Sequence, residues 1–252
     1  MHFLKVGNQQ IAFASSEEID ADKTPLLFVH GAGGSSHVWR NQIQAPLPET
    51  LRVAVDLPGH AHSQGRGAGH IETYRDFILD FVQAAGWERL ILTGHSMGGA
   101  VAQAFALTHP HLLEGIVLVG TGARLRVASE VFEAVRQGEG FADAAYAPNT
   151  DRKLVQEAEK EFGLTDPEVR YQDFLACDRF DVMDRVDEIE VPALVICGQE
   201  DRLTPVKYSL YLADSLPQAS LQIIPEAGHM VMWEQPRAVN AAITSFLAGK
   251  TP

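Results

Sequence analysis

Short runs of apolar, β-branched residues recur along the chain at positions 26–29, 51–55, 90–93, 116–119, 193–197 and 221–224. Each is shorter than an ordinary helix and apolar at both odd and even positions, the pattern of a strand buried on two faces. Between most of them apolar residues return every three or four positions, as in Tyr74, Phe77, Ile78, Phe81 and Val82, or Val101, Phe105 and Leu107, and this spacing predicts helices. Strands alternating with helices imply a parallel sheet covered on both sides. The chain starts differently. Residues 3–6 and 11–14 flank Gly7-Asn8-Gln9-Gln10, which leaves no room for a crossover helix, so an antiparallel hairpin is expected there. The fold class is therefore α/β, a mostly parallel eight-stranded sheet with helices on both faces.

From Thr121 to about Asp187 the strand rhythm stops. Helical spacing takes over in Val131, Phe132 and Val135, then Leu154, Val155, Ala158 and Phe162, then Val169, Phe174 and Leu175. An insertion at this point, after one parallel strand and before the next, belongs over the carboxyl ends of the strands, where α/β proteins bind ligands. The organisation expected is a core of residues 1–120 and 188–252 interrupted by a helical insertion, 121–187.

Composition adds mainly exclusions. A chain of 252 residues with 46% apolar content is ordinary for one α/β domain. A formal net charge of −13 argues against nucleic acid or an anionic membrane face as partner, since both are bound through clustered Lys and Arg. Only Cys177 and Cys197 are present, with no paired metal or redox spacing, and this fits a reducing compartment. No run reaches the roughly 20 apolar residues of a spanning helix, and the first residues lack a signal-peptide core, so a cytoplasmic location is expected.

The chemistry concentrates in four loops. Gly94-His95-Ser96-Met97-Gly98-Gly99 follows the run 90–93 and opens a helical segment, the strand, tight turn and helix of a nucleophile elbow. A serine in so strained a turn crowds the backbone two residues away on either side, so glycine is expected at 94 and 98, and Gly99 lets the helix pack closely. A serine hydroxyl needs a base, most often an imidazole. His229, in Glu226-Ala227-Gly228-His229 after the last predicted strand, falls at the same sheet edge. His95 adjoins the serine but points away from it and is read as a packing residue. His109 and His111, beside Pro110 at a helix end, are read as solvated, and His60 and His62 as part of a structural loop rather than a metal cluster. The acid that orients the base is sought in Gly198-Gln199-Glu200-Asp201, where Asp201 is preferred and Glu200 held in reserve, while the alternative position after the 116–119 run carries no acid. Donors for a developing oxyanion are expected from the backbone N–H groups of Met97 and of Ala32, the latter in His30-Gly31-Ala32-Gly33-Gly34. That loop lacks the endings of a phosphate-binding loop.

With these stretches, Asp56-Leu57-Pro58-Gly59-His60 and Gly198 to Pro205 in order along the chain, the sequence resembles the α/β-hydrolase superfamily over nearly its whole length. The resemblance implies that Asp56 to His60 is a structural loop, here with Ala61 where a glycine is common, and that 121–187 is a helical cap. Ser96 separates the chain from haloalkane dehalogenases and epoxide hydrolases, which use aspartate at the elbow, and Ala32 from cofactor-free perhydrolases, which usually carry an aromatic residue there. Gly31 and the cap residues Phe132, Phe141, Tyr146, Phe162 and Phe174 are candidates to line the substrate pocket. The expected activity is that of a carboxylesterase working on a small-molecule ester with Ser96, His229 and Asp201, without metal or organic cofactor. Carbon–carbon bond hydrolysis or lyase chemistry, enol-lactone hydrolysis and a slow-turnover receptor are the alternatives. For an anionic substrate the evident cations are Arg124 and Arg126.

Overall fold

The structure is a computed structural model that describes residues 1–20, 23–45, 50–137 and 142–249. Phe141 lies outside the described residues. Eight strands, β1 (His2–Val6), β2 (Gln9–Ser15), β3 (Pro25–Val29), β4 (Leu51–Val55), β5 (Leu90–His95), β6 (Leu113–Val119), β7 (Ala193–Gly198) and β8 (Ala219–Ile224), form one sheet in the order β1-β2-β4-β3-β5-β6-β7-β8. β2 runs antiparallel to both β1 and β4, and every other pairing is parallel. The hairpin turn is tighter than expected: Gly7 and Asn8 alone make it, with Gly7 at φ 57°, and Gln9 already pairs with Val6. The larger helices are α1 (Ile71–Ala85), α2 (Met97–Thr108), α3 (Ser129–Arg136), α4 (Arg152–Phe162), α5 (Pro167–Arg179), α6 (Val206–Ser215) and α7 (Pro236–Leu247).

The two-sided burial read from the sequence appears as two apolar layers. Leu27, Val29, Leu92, Ile116, Leu118 and Val195 face one cluster with Phe77, Ile78 and Phe81 of α1. Their neighbours Leu26, Phe28, Ile91, Val117 and Ile196 face the other, with Trp39, Trp233 and Ile243. Full burial of each such side chain is worth roughly 1.5–3 kcal/mol. Helix α2 is buried on nearly every side from Met97 to Ala106, consistent with its run of Ala and Gly.

The strand order reverses beside β3. From β3 the chain moves outward to β4, then returns to β5 on the other flank of β3. Loops after β3 and β5 therefore leave the same sheet edge side by side and open a crevice there. Helices α3, α4 and α5 come between β6 and β7 and contribute to the walls of that crevice. Helix α5 is tied to the core by a buried network: Asp173 accepts from Gly33 N–H at 2.7 Å and from His60 Nε2 at 2.7 Å, and its other oxygen accepts from the Tyr74 hydroxyl. Burial would lower the His60 pKa, but the charge and hydrogen bond of Asp173 outweigh it and raise the group above its ordinary value. Among the described residues no helix is long and apolar enough to cross a membrane.

Candidate active site

Ser96 stands between the end of β5 and the first residue of α2 at φ 51° and ψ −114°, a conformation that a non-glycine residue rarely adopts. The turn is tight enough that a Cβ on Gly94 would lie 2.0 Å from Gly98 O, and one on Gly98 would lie 2.3 Å from Val29 O. Both contacts are to backbone, which cannot rotate away. Gly98→Ala is accordingly expected to destabilise the protein by at least about 3 kcal/mol, measured as a lowered midpoint in urea. An unchanged midpoint would contradict the packing argument.

His229 is placed by both of its flanks. Its N–H donates to Ala145 O at 2.8 Å, Gly228 N–H donates to Glu234 Oε1 at 2.9 Å, and Trp233 Nε1 donates to Val38 O at 2.6 Å, which pins the following segment to the core. The imidazole lies next to a second one, His95, at 4.6 Å between ring centres. His95 Nε2 donates to His229 O at 3.0 Å, and burial, reinforced by the neighbouring His229, lowers the His95 pKa to about 3. His95 is thus a neutral packing and anchoring residue, as its place in the chain suggested.

His229 Nδ1 lies 2.9 Å from Asp201 Oδ2. A carboxylate can only accept, so Nδ1 carries the proton and Nε2 is left with the lone pair, the tautomer required of a general base. Asp201 is almost fully enclosed. Its Oδ1 accepts from the Leu203 and Thr204 N–H groups at 2.9 and 2.8 Å, and its Oδ2 also accepts from the Thr204 hydroxyl at 2.8 Å. Burial would raise its pKa, but the charge and hydrogen bond of His229 together with the Thr204 donors prevail and hold the carboxyl below the usual range. Glu200, half-buried, donates its N–H to Ala227 O at 2.8 Å, and its carboxylate makes no hydrogen bond to His229. Gly120, after β6, brings its backbone up against the same pair: a Cβ there would stand 3.4 Å from Asp201 Oδ2.

The loop after β3 is built to hold its backbone rigidly. Gly34 N–H donates to Gly31 O at 3.0 Å, Gly33 N–H to Asp173, and Ser36 N–H to Asp56 Oδ1 at 2.6 Å. His30 Nδ1 donates to Gly31 O at 2.8 Å while its Nε2 accepts from Leu57 N–H at 3.1 Å, so the buried ring is neutral, in keeping with a pKa driven well below normal by burial. Among the described residues the N–H groups of Ala32 and Met97 donate to no protein acceptor. A Cβ on Gly31 would lie 3.2 Å from Ser96 Cβ, which places this loop against the serine.

Ser96 and His229 line one cavity of about 550 Å³ together with Gly31, Ala32 and residues of the inserted helices. Among the described residues, no hydrogen bond joins the Ser96 hydroxyl to the imidazole. Of the expected pocket residues, Gly31, Tyr146, Phe162 and Phe174 line the cavity. Phe132 does not. Its ring packs edge-on against Tyr171 at 5.7 Å, and Val131 takes the lining position. Of the two arginines expected to meet an anion, both exposed, Arg126 lines the cavity and Arg124 does not, and both approach Asp181, Arg124 at 3.6 Å and Arg126 at 3.4 Å. Spacing alone had not revealed Thr204, which saturates Asp201, or Asp173, which braces the loop from 140 residues away. The former has a local signature, an Asp followed three residues later by Thr, whereas the latter has none. Among the described residues no group of three or more His, Cys, Asp or Glu is placed to hold a metal ion.

Known proteins resemble the chain over most of its length. A Caulobacter protein, RutD, provisionally named a carbamate hydrolase, is 29% identical over 91% of this chain and 92% of its own. The 2-hydroxy-6-oxo-2,4-heptadienoate hydrolase of Pseudomonas putida is 27% identical, covering 90% of each chain. The solved structure of a thermophilic esterase from Thermogutta terrifontis superposes with a TM-score of 0.86 at 25% identity, covering 100% of this chain and 99% of the other. Residues 26–242 match the alpha/beta hydrolase family. A match of that length extends far beyond the loops around Ser96: this chain belongs to the alpha/beta hydrolase family, and it is a hydrolase.

Proposed function

We propose that this hydrolase cleaves small carboxylic esters through an acyl-enzyme. The observation that carries the reading is the His229 Nδ1 to Asp201 Oδ2 bond of 2.9 Å behind a cavity that Ser96 and His229 share. In this mechanism Ser96 Oγ attacks the ester carbonyl as His229 Nε2 takes its proton, and the resulting oxyanion accepts from the N–H groups of Ala32 and Met97. Collapse breaks the bond to the alkoxy group, which leaves with the proton from Nε2. Water, deprotonated by Nε2, then attacks the acyl-serine and releases the acid, restoring the Ser96 hydroxyl. Asp201 keeps the ring in the productive tautomer and stabilises the imidazolium formed in each step.

A second reading, cleavage of a carbon–carbon bond, is favoured by the name and the 27% identity of the heptadienoate hydrolase. The deciding experiment offers 4-nitrophenyl esters from acetate to octanoate, an enol-lactone and a vinylogous diketone to the protein, and labels Ser96 with a fluorophosphonate. Turnover of the short and medium esters is expected. Labelling without ester turnover would reject the carboxylesterase reading and put carbon–carbon cleavage or a receptor role in its place.

A further inference from the structure

Among the described residues, one of the Arg, Lys, Asp and Glu side chains that line the cavity is out of solvent. Arg126, Arg202 and Glu159 are exposed, and Glu161 is half-buried, accepting from Ser35 Oγ at 3.5 Å. Arg170, on α5, is only 4% exposed. Among the described residues it forms no ion pair, and its Nε has no hydrogen-bond partner. Its position is fixed by packing. The stem runs along the loop after β3, with Cγ 2.9 Å from where a Cβ on Gly33 would stand, one residue beyond Ala32. The ring of Phe162 covers the guanidinium at 4.7 Å. Stacking of that kind engages the flat face of the cation and leaves its in-plane N–H donors unfilled.

A guanidinium stays protonated at any ordinary pH, and taking it out of water without an anion is unfavourable. Among the described residues no carboxylate comes within ion-pair distance of it, Asp166 acting on it only through its charge, and it lines the cavity that Ser96 and His229 share. We propose that Arg170 receives a carboxylate carried by the substrate, so that the preferred substrates are acidic half-esters or other carboxylate-bearing acyl compounds. The proposal rests on the ester-cleaving reading of the Ser96 site. A planar fork of donors suits a carboxylate, which it can bind through two parallel hydrogen bonds.

The test compares 4-nitrophenyl hydrogen adipate with the 4-nitrophenyl ester of adipamic acid, equal in length and differing in charge. The wild type is expected to favour the anionic ester in kcat/KM by about 10- to 100-fold, as hydrogen bonds to a charged partner allow. In Arg170→Gln that ratio should fall to near one, and in Arg170→Lys an intermediate ratio should survive. A wild-type ratio near one, or an equal loss on both esters in Arg170→Gln, overturns the proposal. Should neither ester turn over, the ester reading itself has failed, and the rate of Ser96 labelling by a fluorophosphonate still decides. Adipate dianion is expected to slow labelling of the wild type and not of Arg170→Gln, and equal protection of both overturns the assignment.

Discussion

Replacing Ser96 by alanine is expected to lower kcat on any ester the wild type accepts by about 10³-fold at least, approaching about 10⁶-fold where the acyl-enzyme route carries all the flux. The change removes one oxygen that makes no hydrogen bond to His229 and leaves Cβ in place, so the strained turn, with φ at 51°, has no reason to relax. Melting temperature should therefore match the wild type within a degree or two, and fluorophosphonate labelling should vanish. Residual activity within about 10-fold of the wild type, from a preparation free of contaminating esterase, would mean that Ser96 is not the nucleophile.

Asp201→Asn is expected to cost up to about 10⁴-fold in kcat, and the geometry explains why so small a change does so much. Oδ1 accepts from two backbone N–H groups, of Leu203 and Thr204, and those donors cannot be reversed. An asparagine must keep its carbonyl oxygen on that side and turn its NH₂ toward His229. Nδ1 then has to accept rather than donate, the ring proton moves to Nε2, and the nitrogen facing Ser96 can no longer take a proton. The neighbouring Glu200→Gln should stay within a few-fold of the wild type, because His229 Nδ1 already has its carboxylate in Asp201. Losses in the opposite order would transfer the orienting role to Glu200.

Much of this arrangement is legible in the sequence. The six strands β3 to β8 are each announced by a short apolar run, because the core has an apolar layer on either side of the sheet, whereas the mostly exposed β1 and its partner β2 are announced by the turn between them. Where a polar residue breaks the run, the boundary is lost: β6 begins at Leu113, three residues ahead of the 116–119 run, because Leu113 pairs with Leu90 across a register shift while Glu114 and Gly115 interrupt the pattern. Ser96, His229 and Asp201 could be chosen because each follows a recognisable strand. The helical insertion was less readable. A step of one residue turns the side chain by about 100° on a helix, which is enough to exchange Phe132 for Val131 at the cavity wall. Arg124 and Arg126 sit where an anion site would suit the chain order, and both reach Asp181, but only Arg126 also lines the cavity. Arg170 and Asp173 are drawn into the site only by tertiary packing of α5, and nothing in their neighbourhood along the chain marks them out.

The Asp173 network limits how freely the inserted helices could be exchanged with those of another family member. A replacement lacking a carboxylate at this place would strand a buried imidazole, a buried phenol and the Gly33 N–H together, three donors that a single residue now satisfies. Lifting the helices away would have the same effect on the loop that carries Ala32. In this protein the roof of the pocket is therefore not a detachable module selecting substrates above an independent catalytic floor. It is part of the floor's own scaffolding, so changes of specificity made by swapping the whole insertion should exact a cost in turnover that changes of single lining residues do not.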